Sequence, residues 1–485
     1  MNAMARIIDW PGVANDDMPM ALWDAVSLAR AMGGVAVGEF QVSGVEIDSR
    51  DIVAGDLFFA LKGESMDGHR FIEGAMAKGA SAVVSDRAVD APHIRVADTT
   101  AALVALGKAA RARSMARIAG VTGSVGKTGV KEALFAALDR SSRGAAHRSV
   151  KSYNNHVGVP LSLARMPARA RFGVFEMGMN HAGEIRALAR QVRPHVALIT
   201  TIAPAHIENL GSEEAIADAK SEIFQGLEDD GIAIIPADTP HFNRLRKNAS
   251  WRCGKVISFG RSEHADVRLL DAVPGLNGGS LVTADMGDRR ICYTIATPGE
   301  HWVTNSLAVM AAVRALGGDL GAAGLALAEM EGLKGRGARH TIPANGGEAL
   351  LIDESYNANP ASMRATLAQL GQTRASRRIA VLGAMKELGE HGPQFHAELA
   401  GPMAEAGLDY AILVGDEMGA LADELGKAGG LALGKSMPFA HCQSPAEARD
   451  ALAAFGLESG DAVLVKGSNS VGLGALVASL IDNKG

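Results

Sequence analysis

A short apolar run, a glycine-rich turn and a helical pattern in direct succession constrain this chain more than anything else in it. Ala116 to Val121 is short and largely apolar and reads as a buried strand. Thr122-Gly123-Ser124-Val125-Gly126-Lys127-Thr128 follows, and Val130 to Leu138 carries apolar residues at helical spacing. Such a turn between strand and helix is a phosphate site for physical reasons. Gly123 and Gly126 let the backbone turn tightly, so that successive N–H groups point into one concavity, and the helix N-terminus adds partial positive charge there. Ser124 belongs to the same cradle, Lys127 is placed to bridge terminal phosphate oxygens, and the Thr128 hydroxyl to ligate magnesium. The turn departs from a strict Walker A sequence, because Val121 stands where that pattern has its first glycine. Phosphate binding alone names no reaction.

The length of 485 residues predicts about three domains at roughly 100–200 residues each. A hydrophobic content of 47% and a net charge of −6 describe a globular chain with ample core and no polybasic surface for nucleic acid. Arg111, Arg113 and Arg117, and likewise Arg165, Arg169 and Arg171, read as solvated faces. Cys253, Cys292 and Cys442 lie far apart without metal-type spacing, which argues for a reducing compartment. The N-terminal stretch with Asp9, Asp16 and Asp17 has no apolar core like that of a signal peptide. No apolar run approaches the roughly 18 residues of a membrane span. The expectation is a cytoplasmic protein.

Residues 1–114 read as a first α/β domain, with a helix over Met20 to Met32 and strands at Phe40 to Ile47, Asp56 to Leu61 and Ala82 to Ser85. Asp48-Ser49-Arg50 at a strand end offers a hydroxyl and a guanidinium to an anion, although on its own a surface turn explains it better. Residues 115–334 form the phosphate-loop domain. Phe172 to Glu176 and Val196 to Thr201 are strands whose ends carry Glu176 and, shortly after, His206. Ligands collect at the carboxyl ends of strands in open parallel sheets, so two metal-capable residues there point to magnesium. Lys220 lies inside a helix over Glu213 to Leu227 and, taken alone, reads as exposed. Short alternating segments from Ile232 to Ile295 read as an antiparallel or mixed appendage, and Thr304 as the cap of a helix running to Leu316. Residues 335–485 alternate strand and helix in a doubly wound, Rossmann-like pattern. Asp353 ends one strand, and the loop Glu354 to Pro360 reads equally well as a ligand contact and as a helix cap.

Several short motifs occur together in this order: Asp48-Ser49-Arg50, Thr122 to Thr128, Asn154-Asn155-His156-Val157-Gly158-Val159-Pro160, Glu176-Met177-Gly178-Met179-Asn180, Ile202-Ala203-Pro204-Ala205-His206, Ala219 to Phe224, Ser355-Tyr356-Asn357-Ala358-Asn359-Pro360, Glu387-Leu388-Gly389-Glu390 and Val465-Lys466-Gly467-Ser468. The set resembles the Mur ligase family over nearly the whole chain. The Tyr-Asn-Ala-Asn-Pro loop is most similar to the branch that joins D-alanyl-D-alanine to UDP-N-acetylmuramoyl-tripeptide. The resemblance implies a three-domain, ATP- and Mg2+-dependent, amide-forming ligase of peptidoglycan precursor synthesis, acting as a monomer through an acyl phosphate.

It also implies residue roles. Ser49 and Arg50 match residues near the UDP end of the muramoyl substrate, and Asn154 and Asn155 a segment facing that substrate. Lys127 and Thr128 match the ATP-phosphate residues, with magnesium on Thr128 and Glu176 and a second ion near His206. Lys220 matches the lysine that is carbamylated in the family and so becomes a metal ligand. Asn305 matches the adenine-side Asn, Arg336 the hinge Arg and Asp353 the ribose-side Asp, while Asn357 and Asn359 belong to the loop that helps place the dipeptide. The sequence departs from the family pattern at Val125, Gly129, Asn469 and Ala384-Met385-Lys386. A sibling ligase adding a diamino acid, a folylpolyglutamate synthetase, a nucleotide-binding protein without ligase activity and a phosphate-loop kinase are the competing readings. The diamino-acid ligase lacks its Asp-Asn-Pro motif here, and the kinase gives the third domain no role.

Overall fold

The computed structural model describes residues 21–63, 66–275, 278–427 and 437–482. Asp9, Asp16, Asp17 and Met20 lie outside them. The chain forms two compact units: one runs to Ser114 and takes in Pro160–Ala168, and the other comprises Met115–Val159 and Arg169–Gly485.

The first unit is a five-stranded sheet of β1 (Val35–Val37), β2 (Gly44–Glu46), β3 (Asp56–Phe59), β4 (Ala82–Ser85) and β5 (His93–Arg95), ordered β1-β5-β4-β3-β2 and parallel except at β1. Helix α1 (Ala25–Met32) packs with α2 (Thr99–Arg113). Among the described residues the first helix starts at Ala25, because the Asp24 carboxylate accepts the Ser27 N–H (2.7 Å) as its cap. The strand expected over Phe40 to Ile47 breaks at Ser43. Three of the arginines read as solvated faces are packing residues. Arg111 is buried, Arg113 lies 3.3 Å over the Trp23 ring and donates to Leu22 O (3.0 Å), and Arg165 donates to Val45 O (2.6 Å) and pairs with Glu46 (2.5 Å). Segment 160–168 is bound into this unit, since Ala164 O also accepts the Trp23 indole N–H at 3.1 Å.

The second unit holds two sheets. The larger contains β6 (Arg117–Thr122), β7 (Ala146–Arg148), β8 (Phe172–Glu176), β9 (Val196–Ile199), β10 (Ile232–Pro236), β11 (Lys255–Gly260), β12 (Val267–Pro274), β13 (Ser280–Asp285) and β14 (Arg290–Ile295). Their order is β14-β13-β12-β11-β10-β9-β6-β8-β7. All pairings are parallel except β12–β13 and β13–β14. The segments expected as an appendage therefore continue the phosphate-loop sheet itself; β12 pairs parallel to β11 before the chain turns into hairpins. Glu176 pairs with Val121 and Ile199 with Thr122, so three strands end level and deliver their following loops to one edge.

Beneath that edge, Val121, Val174 and Leu198 share a buried cluster with Val130, Leu134 and Leu138 of α3 (Lys127–Ser142) and with Leu307 and Met310 of α6 (Glu300–Ala315). Between these two helices in sequence come α4 (Gly158–Ala164) and α5 (Glu213–Ser221). Helix α6 starts at Glu300 with Gly299 as its N-cap, so Thr304 is an interior residue rather than the cap. The smaller sheet holds β15 (Ala338–Ala344), β16 (Gly347–Glu354), β17 (Arg378–Gly383), β18 (Tyr410–Val414), β19 (Phe439–Cys442) and β20 (Ala462–Lys466), ordered β15-β16-β20-β17-β18-β19. It is parallel except for the edge strand β15, which agrees with the doubly wound expectation.

Helix α3 meets α6 at Gly129, where a Cβ would stand 3.0 Å from the Trp302 ring. The departure at 129 thus makes room for an indole. Gly129→Thr is expected to destabilise the protein by about 1–3 kcal/mol through overpacking. Urea unfolding of Gly129→Thr against Gly129→Thr/Trp302→Leu checks this, with recovery expected in the double variant.

Candidate active site

The turn after β6 is fastened from behind. Ser124 N–H donates to Thr201 O (2.8 Å), and Ser124 Oγ donates to Ala203 O (2.8 Å) while accepting the Ala203 N–H (3.0 Å). Thr200 Oγ1 donates to Val125 O at 2.5 Å. The Ser124 side chain, expected to touch phosphate, is spent on shaping the loop. Gly123 has φ 149° and Gly126 φ 85°, and a Cβ on Gly123 would collide with Thr200 Oγ1. Gly126 is the N-cap of α3 and no side chain caps that end, so the helix presents first-turn N–H groups to an anion.

Lys127 Nζ donates to Gly123 O (2.7 Å). Burial pulls its pKa below the usual lysine range, opposed by Glu176 and reinforced by Arg336. Glu176, 1% exposed, accepts from Thr128 Oγ1 on one oxygen and from Asn154 Nδ2 on the other, both at 2.8 Å. Lys220 is 1% exposed, contrary to its reading in isolation, and no hydrogen bond or ion pair to its ammonium occurs among the described residues. Burial first, and then the charge of Lys127, hold its pKa well below the ordinary value.

A cleft of about 690 Å³ opens in front of this loop. Its other wall comes from the smaller sheet. The Arg336 guanidinium lies 4.2 Å over the Tyr356 ring and donates to Ser152 Oγ (3.3 Å). Lys466 Nζ donates to Asn357 O (3.0 Å) and stands 3.5 Å from Glu354 Oε2. Burial raises the Glu354 pKa and lowers that of Lys466. Asn305 lines the cleft beside Gly126, where a Cβ would come within 3.1 Å of its Nδ2. His301 on the same helix is pushed down to about 4, mainly by burial and also by Lys466.

Other expected residues are placed differently. Asp353 is not among the lining residues: it is 1% exposed, and its carboxylate accepts from Gly335 N–H (2.7 Å), Ser355 N–H (3.1 Å) and Ser355 Oγ (2.6 Å), so it ties the hinge. Side chains alternate along a strand, and its neighbour Glu354 is the carboxylate that reaches the cleft. Asn155 and Asn359 line the cleft, but both carbonyls also serve as caps. Asn155 Oδ1 accepts the Gly158 N–H (2.9 Å) at the start of α4, and Asn359 Oδ1 the Ser362 N–H (2.9 Å) at the start of α7 (Pro360–Gln372). His206 has φ 61° and pairs with Glu387, itself at φ 64°. Ser49 and Arg50 belong to the other compact unit, and Arg50 pairs with Asp48 at 2.6 Å. The sequence reading assigned no role to Glu354 or His301 and none individually to Lys466. The position of Lys466 at the carboxyl end of the parallel strand β20 is the signal that marks it.

No three His, Cys, Asp or Glu side chains converge on a ready-made ion cage among the described residues. The Thr128 hydroxyl and Glu176 carboxylate nevertheless fit Mg2+, which binds through one or two carboxylates and keeps water and phosphate ligands.

The family descriptions "Mur ligase family, catalytic domain", "Mur ligase middle domain" and "Mur ligase, glutamate ligase domain" match residues 41–118, 121–313 and 339–469. The chain is 36% identical over 456 residues to the UDP-N-acetylmuramoyl-tripeptide–D-alanyl-D-alanine ligase of Synechocystis, covering 91% of this chain and 93% of that one. The chain belongs to the Mur ligase family. The ligase of the same name from Bacillus subtilis is 34% identical, covering 91% and 94% of the two chains. Among solved Mur ligases, MurF from Acinetobacter baumannii superposes with a TM-score of 0.81 at 31% identity, covering 96% of this chain and 100% of that one. MurF from Thermotoga maritima in complex with ADP gives 0.72 at 25%, covering 90% and 97%.

The His301 shift sets a pH dependence. The unfolded imidazole takes up a proton below about 6.5, whereas the folded one stays neutral down to about 4. The unfolded state then binds more protons, so this contribution to stability is complete above the upper value and is lost as pH falls toward the lower. Urea unfolding of His301→Gln against the parent protein at pH 7, 5.5 and 4.5 is expected to show a shallower loss in the variant.

Proposed function

We propose that this Mur ligase joins D-alanyl-D-alanine to UDP-N-acetylmuramoyl-tripeptide with ATP, forming ADP and phosphate through an acyl phosphate. The relatives that match nearly its whole length bear that name. The observation that carries the chemistry is a set of cationic side chains gathered in front of an uncapped helix start. Lys127, Arg336 and Lys466 line one cleft together with Glu176, Glu184 and Glu354, and the first turn of α3 has no side-chain cap there. Cations beside a free helix N-terminus suit a polyanion, here a nucleoside triphosphate beside a carboxylate.

The residues divide the work. The first turn of α3 holds phosphate oxygens, and Lys127 exchanges Gly123 O for them. Asn305 and Glu354 serve the adenosine end, Glu354 taking the place expected for Asp353. Mg2+ would sit on Thr128 and Glu176, where it supplies charge neutralisation to the transferring phosphoryl group. Asn154 orients Glu176 for that purpose. Lys220, whose burial disfavours the charged ammonium, attacks CO2 as the free amine, forming an N–C bond and releasing one proton; the resulting carbamate gives the site a further anionic metal ligand. The muramoyl carboxylate attacks the γ-phosphorus and ADP leaves. The amine of D-alanyl-D-alanine then attacks the acyl carbon and phosphate leaves. Ser49 and Arg50 serve the UDP end, Asn155 the muramoyl peptide, and Asn357 and Asn359 the dipeptide. His206, engaged by Glu387 across the cleft, helps hold it closed against water.

The parts correspond to residues 1–114 for the UDP-muramoyl peptide, 115–334 for ATP and 335–485 for closure, in a cytoplasmic monomer. No described helix is long and apolar enough to cross a membrane.

Phosphate release from ATP is expected to require both UDP-N-acetylmuramoyl-tripeptide and D-alanyl-D-alanine, with a product heavier by the dipeptide less water. ATP bound without release under any pairing would overturn the ligase reading. Lys127→Ala is expected to lower kcat by on the order of 10²–10³-fold with an unchanged circular dichroism spectrum. Lys220→Ala is expected to be inactive and partly rescued by short-chain carboxylates; full activity without rescue would remove Lys220 from the metal site.

A further inference from the structure

Helix α3 carries a second lysine one turn beyond Lys127, and the chemistry above gives it no task. The Lys131 side chain is 0% exposed. Its ammonium has three N–H groups and meets three acceptors, Ser149 O, Lys151 O and Glu132 Oε1, each at 2.8 Å. Glu132 Oε2 pairs in turn with Arg148 (2.7 Å), whose guanidinium lies 3.9 Å over the Phe135 ring. One face of the phosphate helix thus grips the chain where it leaves β7.

Burying an ammonium is costly, and a hydrocarbon of the same length would fill the space without that cost. What a hydrocarbon cannot do is satisfy two backbone carbonyls outside any ladder. Those carbonyls belong to a strained segment, because Lys151 has φ 52°, a left-handed conformation that disfavours any residue with a Cβ. The next residues carry the site. Ser152 accepts from Arg336, Asn154 orients Glu176, and Asn155 caps α4.

We propose that Lys131 is a positioning residue for the ligation. It fixes segment 149–155 to the helix that holds the ATP phosphates, so that the muramoyl carboxylate lies in line with the phosphorus it attacks. The inference rests on the ligase reading. Misplacement by about 1 Å at such a step costs on the order of 10²-fold in rate, while nucleotide binding depends on the turn ahead of Lys131 and is untouched.

The test compares Lys131→Met, Lys131→Gln and Lys131→Arg with the parent protein. Steady-state kinetics and ADP titration are run alongside hydrogen exchange of segment 149–155. Lys131→Met is expected to keep its ADP affinity within about twofold, lose on the order of 10²-fold in kcat, raise KM for the muramoyl substrate and lose exchange protection in that segment. Gln restores two N–H donors and Arg more, so activity is expected to rise in the order Met, Gln, Arg. If Lys131→Met does not fold, the Gln and Arg variants carry the comparison. Parental kcat and KM in Lys131→Met, or in Lys131→Gln where Met does not fold, would overturn the inference. So would loss of ADP binding in step with activity, which marks a purely structural lysine. A parent protein that releases no phosphate with both substrates would instead refute the ligase reading, and the exchange measurement would still report whether Lys131 holds the segment.

Discussion

The site depends on one buried carboxylate. Glu176 is withdrawn from water, and Thr128 and Asn154 each give one of its oxygens a donor while Lys127 lies nearby. These three partners come from two places, the phosphate helix and the loop after β7. A carboxylate that needs both cannot form until the parallel register of β6 and β8 is in place, because that pairing sets Glu176 level with Val121. The fold and the chemistry therefore share one constraint. The strands must end together for Glu176 to meet its donors.

The second wall of the cleft is held by weaker and more adjustable contacts. Arg336 stacks on Tyr356 and reaches Ser152 at 3.3 Å, and His206 meets Glu387 with both residues in left-handed conformations. Such contacts between the two sheets suit a cleft that opens for substrates and closes over a hydrolysable intermediate. The hinge between them is stiffer. Asp353 spends its carboxylate on the backbone on either side, leaving Glu354 to face the cleft.

Much of this was legible in the sequence where local chemistry decides the outcome. The strand Phe172–Glu176 and the helix Pro445–Phe455 fall where pattern and punctuation place them, and the glycine turn before Lys127 needs no tertiary partner to be read. The rest turns on partners far away in the chain. Arg113 looks solvated until Leu22 and Trp23, about ninety positions earlier, are seen beneath it. Lys220 looks exposed because helical periodicity does not say what covers a face. The choice between Asp353 and Glu354 is a strand-facing question, and two adjacent carboxylates carry no signal that tells one face from the other. Thr304 resembles a cap by composition, yet α6 begins a turn earlier, at a glycine.

The return of residues 160–168 to the first unit has a consequence for how the protein comes into being. During vectorial synthesis that unit cannot be completed when Ser114 emerges, because the carbonyl that receives the Trp23 indole and the guanidinium that pairs with Glu46 are still to come. The phosphate loop and the segment that Lys131 anchors are made in the interval. The unit is therefore discontinuous in the gene, and recombination or truncation at its apparent boundary would separate it from part of its own core. Its modularity is that of a folded object rather than of a stretch of sequence.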